Sequence, residues 1–232
     1  MPALNPVVRR RGRLGALVHR FRSRLPRALP VRRCVPLVLL APVGLLGALV
    51  AGRWAPLRDS DVAVTDATHA WAVKQPAMVD AMNVWTLVFS PMALRGAALL
   101  LAIWLFRRRD TRAAWWVIIT MAAGGLIAAL VKLVVQRDRP SFLDPVAEAT
   151  GYAFPSGHAA NAALAAGVFL LILRRHRRLL WPAAAVVTVI TGLTRIGLGV
   201  HWTSDVVAGW FLGAATVAAA ATALHPSKPP RR

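Results

Sequence analysis

The chain has 232 residues, of which 57% are apolar, a formal net charge of +20 and a single cysteine. That apolar share exceeds the roughly 45–50% of ordinary soluble domains, and it comes in long runs, which excludes a soluble globular protein. Cys34 has no partner for an internal disulfide and no Cys/His cluster around it, so a structural thiol is the role expected of it.

Residues 1–34 form a basic, proline-containing arm with Arg9, Arg10, Arg11, Arg13, Arg20, Arg22, Arg24, Arg27, Arg32 and Arg33. It is expected to be disordered and to lie on anionic headgroups. The arm is too long for the n-region of a cleavable signal, and no clean cleavage site follows the first apolar run.

Six apolar stretches follow, at residues 35–52, 83–106, 113–135, 157–173, 180–198 and 205–224. Most approach the ~20 residues that a helix needs to cross the hydrocarbon of a bilayer. The fold class predicted is all-α, a membrane bundle of six transmembrane helices over 35–224, with a short tail at 225–232. The second stretch is the weakest, because Ser90-Pro91 breaks it and Arg95 lies inside it.

Charge sorts the connections. The arm, Arg107–Arg112, Arg174–Arg178 and the tail hold 21 of the 29 Lys and Arg. The intervening segments 53–82, 136–155 and 200–204 hold seven of the nine acidic residues. Basic residues gather on the cytoplasmic side of membrane proteins. The pattern predicts cytoplasmic termini in a plasma membrane, with 53–82, 136–155 and 200–204 outside. The positive charge is thus read as orientation, and no nucleic-acid partner is expected. Segment 59–80 is expected to form an amphipathic helix on the bundle or in the headgroups, and 141–154 to form part of a lid.

Charged residues at the mouth of a membrane bundle are costly and mark candidate sites. Lys132 and Arg139 are seven residues apart, two helical turns, and are expected to share a face as a pair of cations suited to a dianion; snorkelling to the interface is the plainer alternative. Pro155-Ser156-Gly157-His158 enters the fourth stretch as a small-residue turn. Such a turn presents backbone N–H groups and a helix N-terminus to an anion, or simply caps the helix. Thr194-Arg195 precedes His201 and Asp205, which are four residues apart and meet if helical. A carboxylate on one imidazole nitrogen leaves the other free to attack, although a helix cap would use the same residues. Arg95 is expected to pair with Asp59, Asp66 or Asp80. The topology puts Lys132, Arg139, Ser156, His158, Arg195, His201 and Asp205 at one level outside. Cations, backbone donors and two histidines together suit phosphoryl transfer. No carboxylate cluster is at hand for Mg²⁺, so no metal or other cofactor is expected.

With these residues together, the chain resembles the type 2 phosphatidic acid phosphatase (PAP2) superfamily. Its signature KxxxxxxRP, PSGH and SRxxxxxHxxxD reads here as Lys132 to Arg139-Pro140, then Pro155-Ser156-Gly157-His158, then Thr194-Arg195 through His201 to Asp205. Threonine at 194 is the one departure, and it keeps a hydroxyl. The resemblance implies that His201 is the nucleophile, Asp205 its orienting group and His158 the general acid. It implies phosphate binding by Lys132, Arg139, Ser156, Gly157 and Arg195. The implied substrate is a lipid phosphate or diphosphate of the undecaprenyl diphosphate, phosphatidic acid or phosphatidylglycerol phosphate class. The partners expected are that substrate and the bilayer, with no obligate protein partner. A phosphotransferase passing the group to a sugar or lipid hydroxyl is the alternative.

Overall fold

The computed structural model describes residues 31–223, and among them every regular element is helical. The basic arm and the tail otherwise lie outside the described residues. By internal contacts the chain divides at Cys34, and the helical bundle is the unit from Val35 onward.

The first helix, α1 (Val31–Ala51), covers the first predicted stretch and runs through Pro36 and Pro42. A short turn with Arg53 at φ 52° leads to α2 (Ala55–Ala72), which carries a proline in its first turn, where a missing N–H costs nothing. The predicted amphipathic segment 59–80 is therefore not one helix. Lys74 and Gln75 close α2 with turn hydrogen bonds, and Pro76 begins α3 (Pro76–Val88). The second stretch starts at residue 76 rather than 83, because Pro76 is pre-set for a helix start. It is broken where expected: Ser90 accepts from the Ala93 N–H at 3.2 Å and caps α4 (Pro91–Arg107).

Asp110 caps α5 (Thr111–Val135) in the same way, accepting from Ala113 N–H at 3.1 Å. Gln136, left-handed at φ 49°, ends α5. A loop over 137–156 leads to α6 (Gly157–Ile172), then a 3₁₀ turn Arg174–His176, α7 (Arg177–Gly197) and α8 (Thr203–Ala223).

By length and composition, five stretches suffice to cross a membrane: Cys34–Ala51, Pro76–Arg107, Thr111–Val135, Arg174–Gly197 and Thr203–Thr222. The sixth, α6, is shorter at 16 residues, about 24 Å of helix. None of its residues is exposed, and it packs against α4, α5, α7 and α8. Large apolar side chains such as Leu37, Leu87, Leu100 and Val134 face outward, as lipid-facing surfaces require. The chain is a multi-pass membrane protein.

The tightest seam joins α6 to α8. A Cβ on Gly209 would stand 2.6 Å from Ser156 O, and one on Gly213 would stand 2.4 Å from Ala160 O. Small residues let two helix backbones approach this closely. Ala98, Leu105, Trp116, Val117 and Val168 fill the bundle between α4, α5 and α6. At its other end α5 and α7 finish, while α6 and α8 begin, and there the polar residues meet.

Candidate active site

The turn between α7 and α8 brings His201 and Asp205 together. The His201 ring is 2% exposed and Asp205 is fully buried. His201 Nδ1 lies 3.4 Å from Asp205 Oδ2, which also accepts from Trp202 N–H at 2.9 Å. On the other side of the ring, Arg139 Nη1 lies 3.0 Å from His201 Nε2. A guanidinium only donates, so Nε2 must accept and Nδ1 carries the proton toward Asp205. The tautomer is thus fixed from both sides. Burial pushes the His201 imidazole down to about 4, with Asp205 pulling up and Arg139 and Arg195 pushing further down. The ring is neutral near pH 7.

Arg139 is not on the helix that carries Lys132, as the seven-residue spacing suggests. Because α5 stops at Val135, Arg139 reaches the site from the loop. It is held there by carbonyls: Nε donates to Gly151 O at 2.8 Å, Nη1 to Val200 O at 2.7 Å and Nη2 to Thr150 O at 3.0 Å. Burial lowers its pKa while Asp205 raises it. Lys132, from the last turn of α5, donates to Tyr152 O and to Ala153 O. The 141–154 segment therefore serves as a frame of carbonyls for both cations.

Ser156 stands at the N-cap of α6, but its hydroxyl does not cap the helix. Its N–H donates to Asp205 O at 2.9 Å, and its Oγ is buried without a hydrogen-bond partner. The space beside Gly157 is open for 4 Å around an ideal Cβ. His158 is half-buried and lies in the electrostatic field of Arg195, His201, Arg139 and Lys132. Arg195, in the last turn of α7, is 8% exposed, and its Nε also has no partner. A buried donor left unpaired costs about 1–3 kcal/mol, so these groups fit an acceptor-rich ligand. Thr194 turns away and donates to Thr191 O at 3.0 Å. All the predicted site residues lie at this one end of the bundle.

Two groups of residues go beyond the sequence reading. Arg137 joins Asp205 to Asp61, on α2, at 2.7 Å each. His69, also on α2, stacks on Phe142 at 3.7 Å between ring centroids and meets Asp144 Oδ1 through Nε2 at 3.0 Å. That hydrogen bond holds the Asp144 carboxyl below the usual range. The buried face of α2 is Asp61, Thr65, His69 and Ala72, while Val64 and Trp71 face outward. A polar stripe at four-residue spacing was the available signal, and it reads equally well as a solvated face. Among the described residues, Arg95 does not pair with a carboxylate. Its Nε donates to Asn161 Oδ1 at 3.1 Å, because α4 packs along α6 rather than along α2 at that level.

The family model described as the PAP2 superfamily matches residues 113–228, half of the chain and the whole of the site apart from α2. Phosphatidylglycerophosphatase B of Bacillus subtilis (strain 168) is 27% identical over 164 residues, which cover 68% of this chain and 79% of that one. Undecaprenyl-diphosphatase of Sulfolobus acidocaldarius is 29% identical over 117 residues, 48% of this chain and 55% of the relative. Lipid A 1-phosphatase of Rhizobium etli is 32% identical over 103 residues, 40% and 43% of the two chains. The crystal structure of a transmembrane PAP2 type phosphatidylglycerolphosphate phosphatase from Bacillus subtilis superposes with a TM-score of 0.73 at 24% identity, over 84% of this chain and all of that one. The fold, the motif order and the relatives agree, and the chain belongs to the PAP2 superfamily as a membrane phosphatase of that family.

Proposed function

We propose that the protein hydrolyses a phosphate or diphosphate ester of a membrane lipid at the extracytoplasmic face, through a phosphohistidine on His201 and without a metal ion. The observation that carries this reading is the fixed tautomer of His201, with Nδ1–H toward Asp205 and the Nε2 lone pair toward Arg139. An attacking nitrogen needs that lone pair, a neutral ring and a partner for the charge it gains.

The steps follow from the neighbours. An incoming phosphoryl group supplies oxygens to Arg139, Arg195 and Lys132, to Ser156 Oγ and to the N-terminus of α6 at Gly157. Arg139 then turns from Nε2 to the substrate and uncovers the lone pair. The negative charge of the bound phosphoryl group favours the imidazolium form of His158. Nε2 attacks phosphorus, the P–O bond to the lipid breaks, and the His158 imidazolium gives its proton to the leaving oxygen. Asp205 stabilises the cationic ring. Water then attacks the phosphohistidine, His158 takes its proton, and inorganic phosphate leaves with Nε2 restored. Lys132, Arg139 and Arg195 supply the positive charge that a metal ion supplies elsewhere.

The substrate classes favoured are those named for the relatives: phosphatidylglycerol phosphate, undecaprenyl diphosphate and lipid A 1-phosphate, with phosphatidic acid alongside. Apolar helix faces flanking the site suit a lipid chain held in the bilayer. We place residues 1–34 and 225–232 in the cytoplasm as basic arm and tail, and 35–224 as the phosphatase domain. Detergent-solubilised protein is expected to release phosphate from a panel of these lipids in EDTA. Release confined to metal-supplemented samples would contradict metal independence, and transfer of the phosphate to added sugar or lipid hydroxyls in place of release would favour a transferase.

A further inference from the structure

Arg137 is set between two buried carboxylates. Nη1 donates to Asp205 Oδ1 and Nη2 to Asp61 Oδ2, each at 2.7 Å. Ser204 closes the ring of contacts. Its Oγ accepts from Arg137 Nη1 at 2.6 Å and donates to Asp61 Oδ2, while its N–H donates to Asp61 Oδ1 at 3.0 Å. Trp202 covers the guanidinium, with its ring centroid 5.3 Å from Cζ. Asp61 is 2% exposed and Asp205 is 0% exposed. Two carboxylates at that depth are costly unless paired and hydrogen-bonded, and one guanidinium serves both.

The consequence falls on His201. Asp205 Oδ1 is taken by Arg137, which leaves only Oδ2 for Trp202 N–H and His201 Nδ1. Without Arg137, more of the Asp205 charge would act on the imidazole and favour the imidazolium, which has no lone pair to attack with. Asp61 acts in the opposite sense by claiming part of the Arg137 charge. The other charged or titratable groups facing His201 are Arg139 on the loop, Arg195 on α7 and His158 on α6, with Lys132 on α5 beyond Arg139. All four are cations or potential cations. Among the described residues, Asp205 is therefore the one group that draws a proton to the ring, and Arg137 sets how strongly.

We infer that Arg137 is a positioning residue that keeps His201 neutral and aimed by pairing with Asp205, and that Asp61 on α2 tunes this pairing. The inference rests on His201 being the nucleophile.

The test is the pH dependence of kcat/KM of the full chain in detergent micelles. Dioleoyl phosphatidic acid serves as the probe, with wild type, Arg137→Gln, Asp61→Asn and His201→Ala. The acid limb reports the base of the free enzyme. Arg137→Gln is expected to raise that limb by up to about 1 pH unit, because the lost charge stands one carboxylate away from the ring and a charge beside a titrating group shifts its pKa by roughly 1–3 units. Asp61→Asn is expected to lower it. A role in folding alone would reduce activity in both variants and move neither limb. An acid limb that stays at the wild-type position in Arg137→Gln, or rises in Asp61→Asn, overturns the inference while an inactive His201→Ala leaves the nucleophile in place. Turnover retained by His201→Ala overturns the nucleophile itself. If Arg137→Gln fails to fold, Asp61→Asn decides: a lowered limb supports the inference, and an unchanged or raised limb overturns it.

Discussion

His201 has a carboxylate at Nδ1, a guanidinium at Nε2 and almost no exposed surface. Each neighbour alone would spoil it: Asp205 by favouring a protonated ring, Arg139 by occupying the lone pair. Together they hold one neutral tautomer, and in the proposed mechanism an anionic substrate draws Arg139 away. The depressed pKa has a stability consequence of definite sign. The folded ring titrates near 4 and an unfolded one near 6.5, so below pH 6.5 the unfolded chain binds the proton more readily. Above that pH the group is neutral in both states and costs nothing; as pH falls from 6.5 toward 4 it destabilises the fold progressively. The unfolding temperature of wild type in detergent is expected to fall more steeply across this window than that of His201→Asn. Parallel slopes would contradict the burial of the ring. The motif residues were legible because their spacing along the chain is itself the signal. The link from Arg137 to Asp61 was not. Seventy-six residues separate them, and a count of acidic residues does not say which one turns inward.

Elements place these side chains, and the seam between α6 and α8 is the most exacting. Ser156 and Gly157 begin α6, Asp205 lies in the first turn of α8, and Ser156 N–H joins the two. Gly209 allows the approach, with Ser156 O in the place a side chain would take. Gly209→Ala is therefore expected to destabilise the protein by about 1–3 kcal/mol, as overpacking does, and to lower kcat at least tenfold by displacing Ser156. Gly96→Ala, where nothing lies within 4 Å, is expected to leave both unchanged. Equal behaviour of the two variants in thermal unfolding and turnover would contradict this role for the seam. Helix existence was readable from apolar runs, and most boundaries followed from Pro and cap residues. The division at Pro76 and the inward polar face of α2 were missed, because a helix with one polar and one apolar face does not say which face meets lipid. The shortness of α6 has the same origin: an enclosed helix need not span the hydrocarbon alone, and composition does not report enclosure.

At the scale of the whole molecule, the basic connections and the site lie at opposite ends of the helices. Arg107 ends α4 and Arg174 follows α6, whereas His158, His201 and Asp205 stand where α6 and α8 begin. Basic residues gather inside, and this is the basis for the proposed placement of the site outside, toward lipid phosphates of the outer leaflet. In a Cys34→Ser background, a cysteine at Asp144 is expected to react with a membrane-impermeant maleimide in intact cells. A cysteine at Arg108 should react only after permeabilisation. The reverse pattern would put the site in the cytoplasm.

The proposed mechanism turns on a covalent phosphohistidine, and one measurement addresses it. Full-length protein in EDTA is mixed with ³²P-labelled phosphatidic acid, quenched within the first turnover, digested, and the label mapped. An acid-labile phosphohistidine is expected on the peptide carrying His201, and none in His201→Asn, whose turnover should fall about 10³-fold or more. Label on another residue, or steady turnover by His201→Asn, would contradict the mechanism.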